Sequence, residues 1–270
     1  MADFFLVFSP ELKHPMTKFI HDFEVTRNHR ISEDYFAIYL KCPISLPHIL
    51  PGQFAEVLVT NSTTTYLRRP FSIYEADYEK NELSLLIKKV GDGTKALSKL
   101  KVGETLNLVY PLGNSFSMPL GEKALLIGGG VGIAPMFLLA KLLSDKGYKP
   151  DVLIGGRTSN DIVEPEKYKP FGEVFITTDN GSMGEKGMVT QHTLFTEKVK
   201  AYAAIYACGP DPMMKAVARV AASLDIPCEI SLENTMACGI GACLCCVVET
   251  VDGNKTTCID GPVFDTRMLK

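Results

Sequence analysis

Five of the eight cysteines in this chain, Cys238, Cys243, Cys245, Cys246 and Cys258, crowd into one short C-terminal stretch, while Cys42, Cys208 and Cys228 are scattered. That crowding limits what the chain can become. Disulfide scaffolds are small secreted domains that spread their cysteines along the sequence. This chain has 270 residues, and its opening Met1-Ala2-Asp3-Phe4-Phe5-Leu6-Val7-Phe8 is apolar without a basic n-region, so it does not read as a signal peptide. Clustered thiols in such a chain point to metal ligation in a reducing cytoplasm. No apolar run reaches bilayer-spanning length. The net charge of −3 gives no electrostatic reason to expect nucleic acid or an anionic membrane as partner.

The spacing narrows the chemistry. Cys238, Cys243 and Cys246 stand as C-x4-C-x2-C, with eleven residues between Cys246 and Cys258. The opening triplet is the plant-type arrangement for a [2Fe–2S] cluster. Gly239, Gly241 and Ala242 let the backbone come close enough for amide N–H groups to reach the cluster sulfurs. A zinc site normally shows two C-x2-C pairs, and only one is present here. A thioredoxin-like C-x-x-C requires a βαβ setting at its own position. Cys245 falls outside the pattern and reads as a small unligated thiol.

Upstream, the texture divides the chain. Residues 23–117 read as short strands broken by Pro and Gly, with alternation in Phe54-Ala55-Glu56-Val57-Leu58-Val59 and Glu82-Leu83-Ser84-Leu85-Leu86-Ile87. Such spacing predicts an antiparallel β-barrel. Residues 118–227 switch to buried apolar strands alternating with helices, the pattern of a doubly wound α/β sheet. Residues 228–270 carry too few apolar side chains for a core of their own, a lack that a metal centre would make good. Residues 1–22 are left as an N-terminal extension.

Two loops of the α/β region carry ligand signals. Gly128-Gly129-Gly130-Val131-Gly132-Ile133-Ala134-Pro135 follows an apolar strand and opens a helix. Free N–H groups and the helix dipole favour a pyrophosphate there. Pro135 suits a first helical turn, where its missing N–H costs nothing. Cys208-Gly209-Pro210 ends a later strand, and both loops belong at the carboxyl edge of the sheet, where nucleotides bind. Within the barrel region, Arg69-Pro70-Phe71-Ser72 offers a cation, an aromatic face and a hydroxyl, as a flavin and its pyrophosphate require.

Taken in order, Pro51-Gly52-Gln53-Phe54, Arg69-Pro70-Phe71-Ser72, Gly93-Thr94, Pro111-Leu112-Gly113-Asn114, the glycine loop, Cys208-Gly209-Pro210 and the terminal cysteines cover nearly the whole chain. The set resembles the ferredoxin–NADP reductase superfamily. More narrowly, Met236-Ala237-Cys238-Gly239-Ile240-Gly241-Ala242-Cys243 and Asp260-Gly261-Pro262-Val263-Phe264 resemble the electron-transfer subunits of class 1B dihydroorotate dehydrogenases.

That resemblance implies an FAD-binding barrel, an NAD-binding α/β domain and a [2Fe–2S] module. Arg69, Pro70, Phe71 and Ser72 would contact FAD; Leu86, Ile87, Lys88, Gly93 and Thr94 would hold its remainder, including the pyrophosphate. Gly128, Gly130, Gly132, Pro135, Cys208, Gly209 and Pro210 would border NAD. Cys238, Cys243, Cys246 and Cys258 would hold the cluster. It further implies a relay in pyrimidine biosynthesis, from an FMN-containing catalytic partner in a heterotetramer, through cluster and flavin, to NAD⁺. A flavin is required because the cluster handles single electrons and nicotinamide takes hydride. Plant-type clusters lie near about −400 mV, within exchange range of pyridine nucleotides. Two alternatives stay open: a flavin/iron–sulfur reductase subunit of a hydrogenase, sulfite reductase or ferredoxin-dependent NAD(P) transhydrogenase, and a binding module with structural zinc.

Overall fold

The computed structural model describes residues 17–270; the expected N-terminal extension falls largely outside them. Six strands close an antiparallel barrel: β1 (Phe19–Arg30), β2 (Tyr35–Lys41), β3 (Phe54–Leu58), β4 (Arg69–Asp77), β5 (Glu82–Lys88) and β6 (Thr105–Leu112). They are ordered β1-β2-β5-β4-β3-β6, and a short helix α1 (Asp92–Leu97) links the last two in sequence. Alternation sets which side chains enter. Phe36, Ile38 and Leu40 of β2 and Leu83, Leu85 and Ile87 of β5 fill the barrel, each within 2% of full burial. Burying each such side chain stabilises the fold by about 1.5–3 kcal/mol.

The second unit is a seven-stranded sheet. Its strands are β7 (Lys123–Gly129), β8 (Lys149–Gly156), β9 (Val174–Thr178), β10 (Glu185–Lys186), β11 (Ala204–Cys208), β12 (Cys228–Ser231) and, after a separate hairpin of β13 (Val247–Thr250) and β14 (Gly253–Thr256), β15 (Val263–Asp265). The order is β10-β9-β8-β7-β11-β12-β15, parallel except for the last strand. Helices α2 (Ala134–Asp145), α3 (Leu194–Glu197) and α4 (Asp211–Ser223) accompany it. Strand β7 is buried on both faces: Ala124 and Leu126 join one core, Leu125 and Ile127 the other. This is why it reads as a continuous apolar run.

Two boundaries differ from the sequence reading. Strand β1 begins at Phe19, because Phe19–Phe23 pairs with Tyr110–Leu106 although half its side chains face solvent. Cys228, read as the start of the cysteine module, instead opens β12, which pairs in parallel with β11. The chain then leaves the sheet, forms the cysteine loop and the β13–β14 hairpin, and returns as β15 beside β12. The module is therefore an excursion from the sheet's edge.

Barrel and sheet are joined by specific contacts. Phe137 of α2 lies 5.2 Å from the Tyr74 ring of β4, between centroids. The Tyr74 hydroxyl donates to Glu164 Oε2 at 3.0 Å. Asp161 Oδ1 accepts from the Tyr35 hydroxyl and from Lys88 Nζ, each at 2.8 Å. No helix among the described residues is long and apolar enough to cross a membrane.

Candidate functional site

The order of β7 and β11 creates a switch point. From β7 the sheet proceeds outward through β8 in one direction and β11 in the other, so a crevice opens at their carboxyl ends. The glycine loop leaves β7 as a short 3₁₀ turn, Gly130–Ile133, and enters α2 with Pro135 in its first turn. Gly209-Pro210 leaves β11 opposite. A cleft of about 480 Å³ lies there, within the range for small-molecule sites. Gly129, Gly130, Gly209 and Pro210 line it, with Arg157 and Asp179 at the ends of β8 and β9.

The other nucleotide candidates act behind this wall. Gly132 is buried against the second loop: an added Cβ would strike the Cys208 carbonyl, so glycine is what lets the two loops meet. Gly128 is closed off by Ile133. Pro135 is buried in α2. Cys208 is 1% exposed, and burial pushes its thiol well above the ordinary range, assisted by Glu233, whose Oε1 lies 3.9 Å from Sγ. It is a buried strand-end cysteine.

A second cleft, about 340 Å³, opens between the barrel and the sheet. Pro70, Phe71 and Ser72 of β4, Leu86, Ile87 and Lys88 of β5, and Thr94 of α1 line it. Apolar faces with a few hydroxyls suit a flat aromatic group. Arg69 does not line this wall, and Gly93 packs against the Thr65 side chain, where an added Cβ would lie 3.1 Å from Oγ1. Lys88, Val90, Val131 and Glu233 line both clefts, so the two adjoin. The Lys88 ammonium is held by Asp161. Burial raises the Tyr35 hydroxyl beside them to about 12, with the Asp161 hydrogen bond adding to the effect. Burial also works against ionised Asp161, but Lys88 and Tyr35 outweigh it and hold the carboxyl below its ordinary range.

The cysteine loop covers the outer face of β3 and β6. Phe54, Val109, Leu112, Met236, Cys246 and Cys258 form one buried apolar cluster there. The four expected ligands approach as two pairs, Cys238 with Cys243 and Cys246 with Cys258, and Cys238 is within electrostatic reach of Cys258. Two thiol pairs suit a cluster of two irons.

Backbone geometry prepares the loop for anionic sulfur. Gly239, Gly241 and even Leu244 adopt positive φ, which turns successive amides inward. Ile240 N–H donates to Cys238 Sγ and Cys245 N–H to Cys243 Sγ, both at 3.5 Å. Burial raises the Cys238 thiol, but the Ile240, Cys243 and Ala242 amides and the Cys243 thiol outweigh it, bringing it down to about 6. Burial, with Cys246 beside it, pushes the Cys258 thiol up to about 12. Cys245 is exposed and belongs to neither pair.

Some neighbours had no sequence signal. Glu56 is 0% exposed, both its carboxyl oxygens lack a hydrogen-bond partner, and burial raises it to about 7 despite Arg68. Its Cγ lies 2.6 Å from where a Cβ on Gly239 would stand, directly beneath the cysteine loop. Tyr35, Asp161 and Glu233 are likewise single residues whose partners lie far away in sequence, so no motif marks them.

Comparison with known families places these features. An oxidoreductase FAD-binding domain matches residues 22–116, and an oxidoreductase NAD-binding domain matches residues 126–219. The iron–sulfur cluster binding domain of dihydroorotate dehydrogenase B matches residues 233–270. The dihydroorotate dehydrogenase B (NAD(+)) electron transfer subunit of Caldanaerobacter subterraneus is 38% identical over 89% of this chain and 94% of its own length. The chain belongs to the dihydroorotate dehydrogenase B electron transfer subunits. The member from Fusobacterium nucleatum is 35% identical, over 91% of this chain and 96% of its own. Among solved structures, a chain of the NADH-dependent reduced ferredoxin–NADP oxidoreductase superposes with TM-score 0.82 at 30% identity, covering 92% of this chain and 89% of that one. A ferredoxin reductase of carbazole 1,9a-dioxygenase gives 0.69 at 25% identity, covering 79% and 68%. As a dihydroorotate dehydrogenase B electron transfer subunit, the chain is an NAD-linked oxidoreductase component built from FAD-, NAD- and iron–sulfur-binding domains.

Proposed function

We propose that this chain takes electrons singly from an FMN-containing dihydroorotate dehydrogenase catalytic subunit and delivers them to NAD⁺, in a cytoplasmic heterotetramer with two copies of each protein. The observation that carries this reading is adjacency. The cleft bearing Pro70-Phe71-Ser72 shares Lys88, Val90, Val131 and Glu233 with the nucleotide cleft, and the Cys246/Cys258 pair packs against Phe54, which lines the first of these clefts.

When bound, FAD supplies the conversion between the single electrons of a [2Fe–2S] cluster and the hydride that NAD⁺ accepts. The chain's own residues position and insulate. Cys238, Cys243, Cys246 and Cys258 hold the cluster, with loop amides aimed at the thiolates. Phe71, Leu86 and Ile87 keep water from the flavin face, while Ser72 and Thr94 supply hydroxyls; Arg69 precedes this wall in β4, and Gly93, packed against Thr65, precedes Thr94 in α1. Gly129, Gly130, Gly209 and Pro210 border the NAD pyrophosphate, and Gly128, Gly132, Pro135 and Cys208 shape those loops. Lys88, fixed by Asp161, sits where both clefts meet. No side chain is required as a general acid or base. The reducing cytoplasm suits a chain in which all eight cysteines are free thiols.

A second reading keeps the chemistry and changes the donor: a reductase subunit of a hydrogenase, sulfite reductase or ferredoxin-dependent transhydrogenase. The likeness to the ferredoxin–NADP oxidoreductase chain favours it. The match of residues 233–270 to the dihydroorotate dehydrogenase B cluster domain favours the first. The deciding assay mixes the purified chain with its organism's FMN-containing catalytic subunit, dihydroorotate and NAD⁺, and follows NADH absorbance. NADH formation that requires both proteins supports the first reading. Its absence, with FAD, iron and sulfide all present, transfers the chain to the second.

A further inference from the structure

We propose that Phe54 and Met236 form the wall through which electrons pass between the Cys246/Cys258 end of the cluster and the flavin. The inference rests on the relay reading above and adds its internal route.

The cysteine pairs differ in setting. Cys243 is exposed and Cys238 half-buried, whereas Cys246 and Cys258 are 2% and 1% exposed. The buried pair shares one packed cluster with Phe54, Met236, Val109 and Leu112. Of those four apolar side chains, Phe54 and Met236 also line the flavin-side cleft, and Val109 and Leu112 do not. One layer of side chains therefore separates the buried thiols from the cleft. Phe54 is held rigidly in that layer. Its strand neighbours are Ser72 of β4, which lines the cleft, and Leu112 of β6, which belongs to the cysteine cluster. Met236, two residues before Cys238, joins the same cluster and contributes a polarisable thioether. Close-packed side chains leave no water-sized gap in such a contact. An electron crosses packed matter more readily than a void of equal width.

Each crossing past Phe54 and Met236 would move one electron and no atoms, so that a cluster held by the four cysteines would lose one electron and a flavin in the cleft would gain one. Two crossings and one proton from solvent supply the electron pair and proton that leave together as hydride to NAD⁺. In reverse, NADH delivers hydride to the flavin, the proton is released, and electrons return singly to the cluster.

The reverse direction gives the test. The purified full-length chain, loaded with FAD and cluster, is mixed anaerobically with NADH in a stopped-flow cell, and flavin and iron–sulfur bleaching are followed separately. Cluster midpoint potential and EPR spectrum are measured alongside. In Met236→Ala cluster bleaching should slow several-fold relative to flavin bleaching in the same mixture, with cluster potential and spectrum unchanged. Met236→Leu, which refills the gap, should restore the rate. Phe54→Leu provides an independent variant and should slow the same step. Val109→Ala removes volume from the same cluster away from the cleft and should leave the step unchanged. Wild-type cluster bleaching in both Met236→Ala and Phe54→Leu would overturn the proposal, as would equal slowing in Val109→Ala. Failure of NADH to bleach the wild-type flavin at all would instead remove the relay reading.

Discussion

The barrel and the cysteine module reach a folded state by opposite means. The barrel closes six strands around its own side chains, with Ile38, Leu40, Leu85 and Ile87 all essentially buried. The module has one two-stranded hairpin, β13–β14, an element that is marginal alone. Its larger apolar residues mostly face out: Ile240 is 50% exposed, Leu244 63% and Val251 56%. What it buries, Met236, Cys246 and Cys258, it buries against Phe54, Val109 and Leu112 of the barrel. The module thus depends on a neighbour's wall and on its ligands, whereas the barrel depends on neither. Metal binding and module folding should be one event.

The sharpest way to break this comparison is to remove a buried ligand. Cys258→Ser, or Cys246→Ser, should abolish iron–sulfur absorbance completely and expose residues 237–260 to proteolysis, while FAD occupancy stays at the wild-type level. Retention of iron and sulfide by either variant would take that cysteine out of the ligand set. Loss of FAD together with the cluster would show that the barrel depends on the module after all.

A smaller effect should appear between the two loops at the switch point. In Gly132→Ala the new Cβ meets the Cys208 carbonyl, and forcing volume into a packed site typically costs about 1–3 kcal/mol. NADH affinity, measured by titrating flavin bleaching, should weaken by about tenfold or more, tenfold corresponding to about 1.4 kcal/mol. FAD and cluster content should not change.

The smallest effect concerns the clasp between barrel and sheet. Asp161 is held below the ordinary carboxylate range by Lys88 and Tyr35, against the opposing influence of burial. Its folded value lies below its unfolded value, so its contribution is fully present above the ordinary pKa of about 4 and drains away as pH falls toward the depressed value. With Lys88 about one-third exposed, solvent screening limits the pair to about 1 kcal/mol or less. Asp161→Asn should remove this acid-side loss, seen as a shallower fall in melting temperature below about pH 4 than in wild type. An unchanged acid limb would mean that other carboxyls govern it.

Much of this architecture was legible in the sequence, for identifiable reasons. Alternation in β3 and β5 exposes the barrel because every second side chain, Ala55 and Val57 in β3 and Leu83, Leu85 and Ile87 in β5, meets the barrel core. The run Ala124-Leu125-Leu126-Ile127 announces a strand buried on both faces. The cysteine spacing carries its own chemistry, since thiolates on one loop must reach a common cluster. What escaped is what depends on distant partners. Phe19–Asp22 lacks a clear apolar alternation and becomes a strand only through Tyr110–Asn107. Cys228–Ser231 is too short to stand out from the module that follows and is defined by its pairing with β11. The shared positions of Lys88 and Glu233 in both clefts, and Glu56 beneath Gly239, arise from folding separate segments together.

The central claim is that this one chain connects pyridine nucleotide, flavin and cluster in series. Anaerobic titration of the purified chain with NADH, without any partner protein, tests it most directly. The account predicts that NADH bleaches first the flavin band and then the iron–sulfur band, with the EPR signal of a reduced [2Fe–2S] cluster growing in step. Flavin bleaching with a cluster that stays oxidised, although dithionite reduces it, would contradict the series connection.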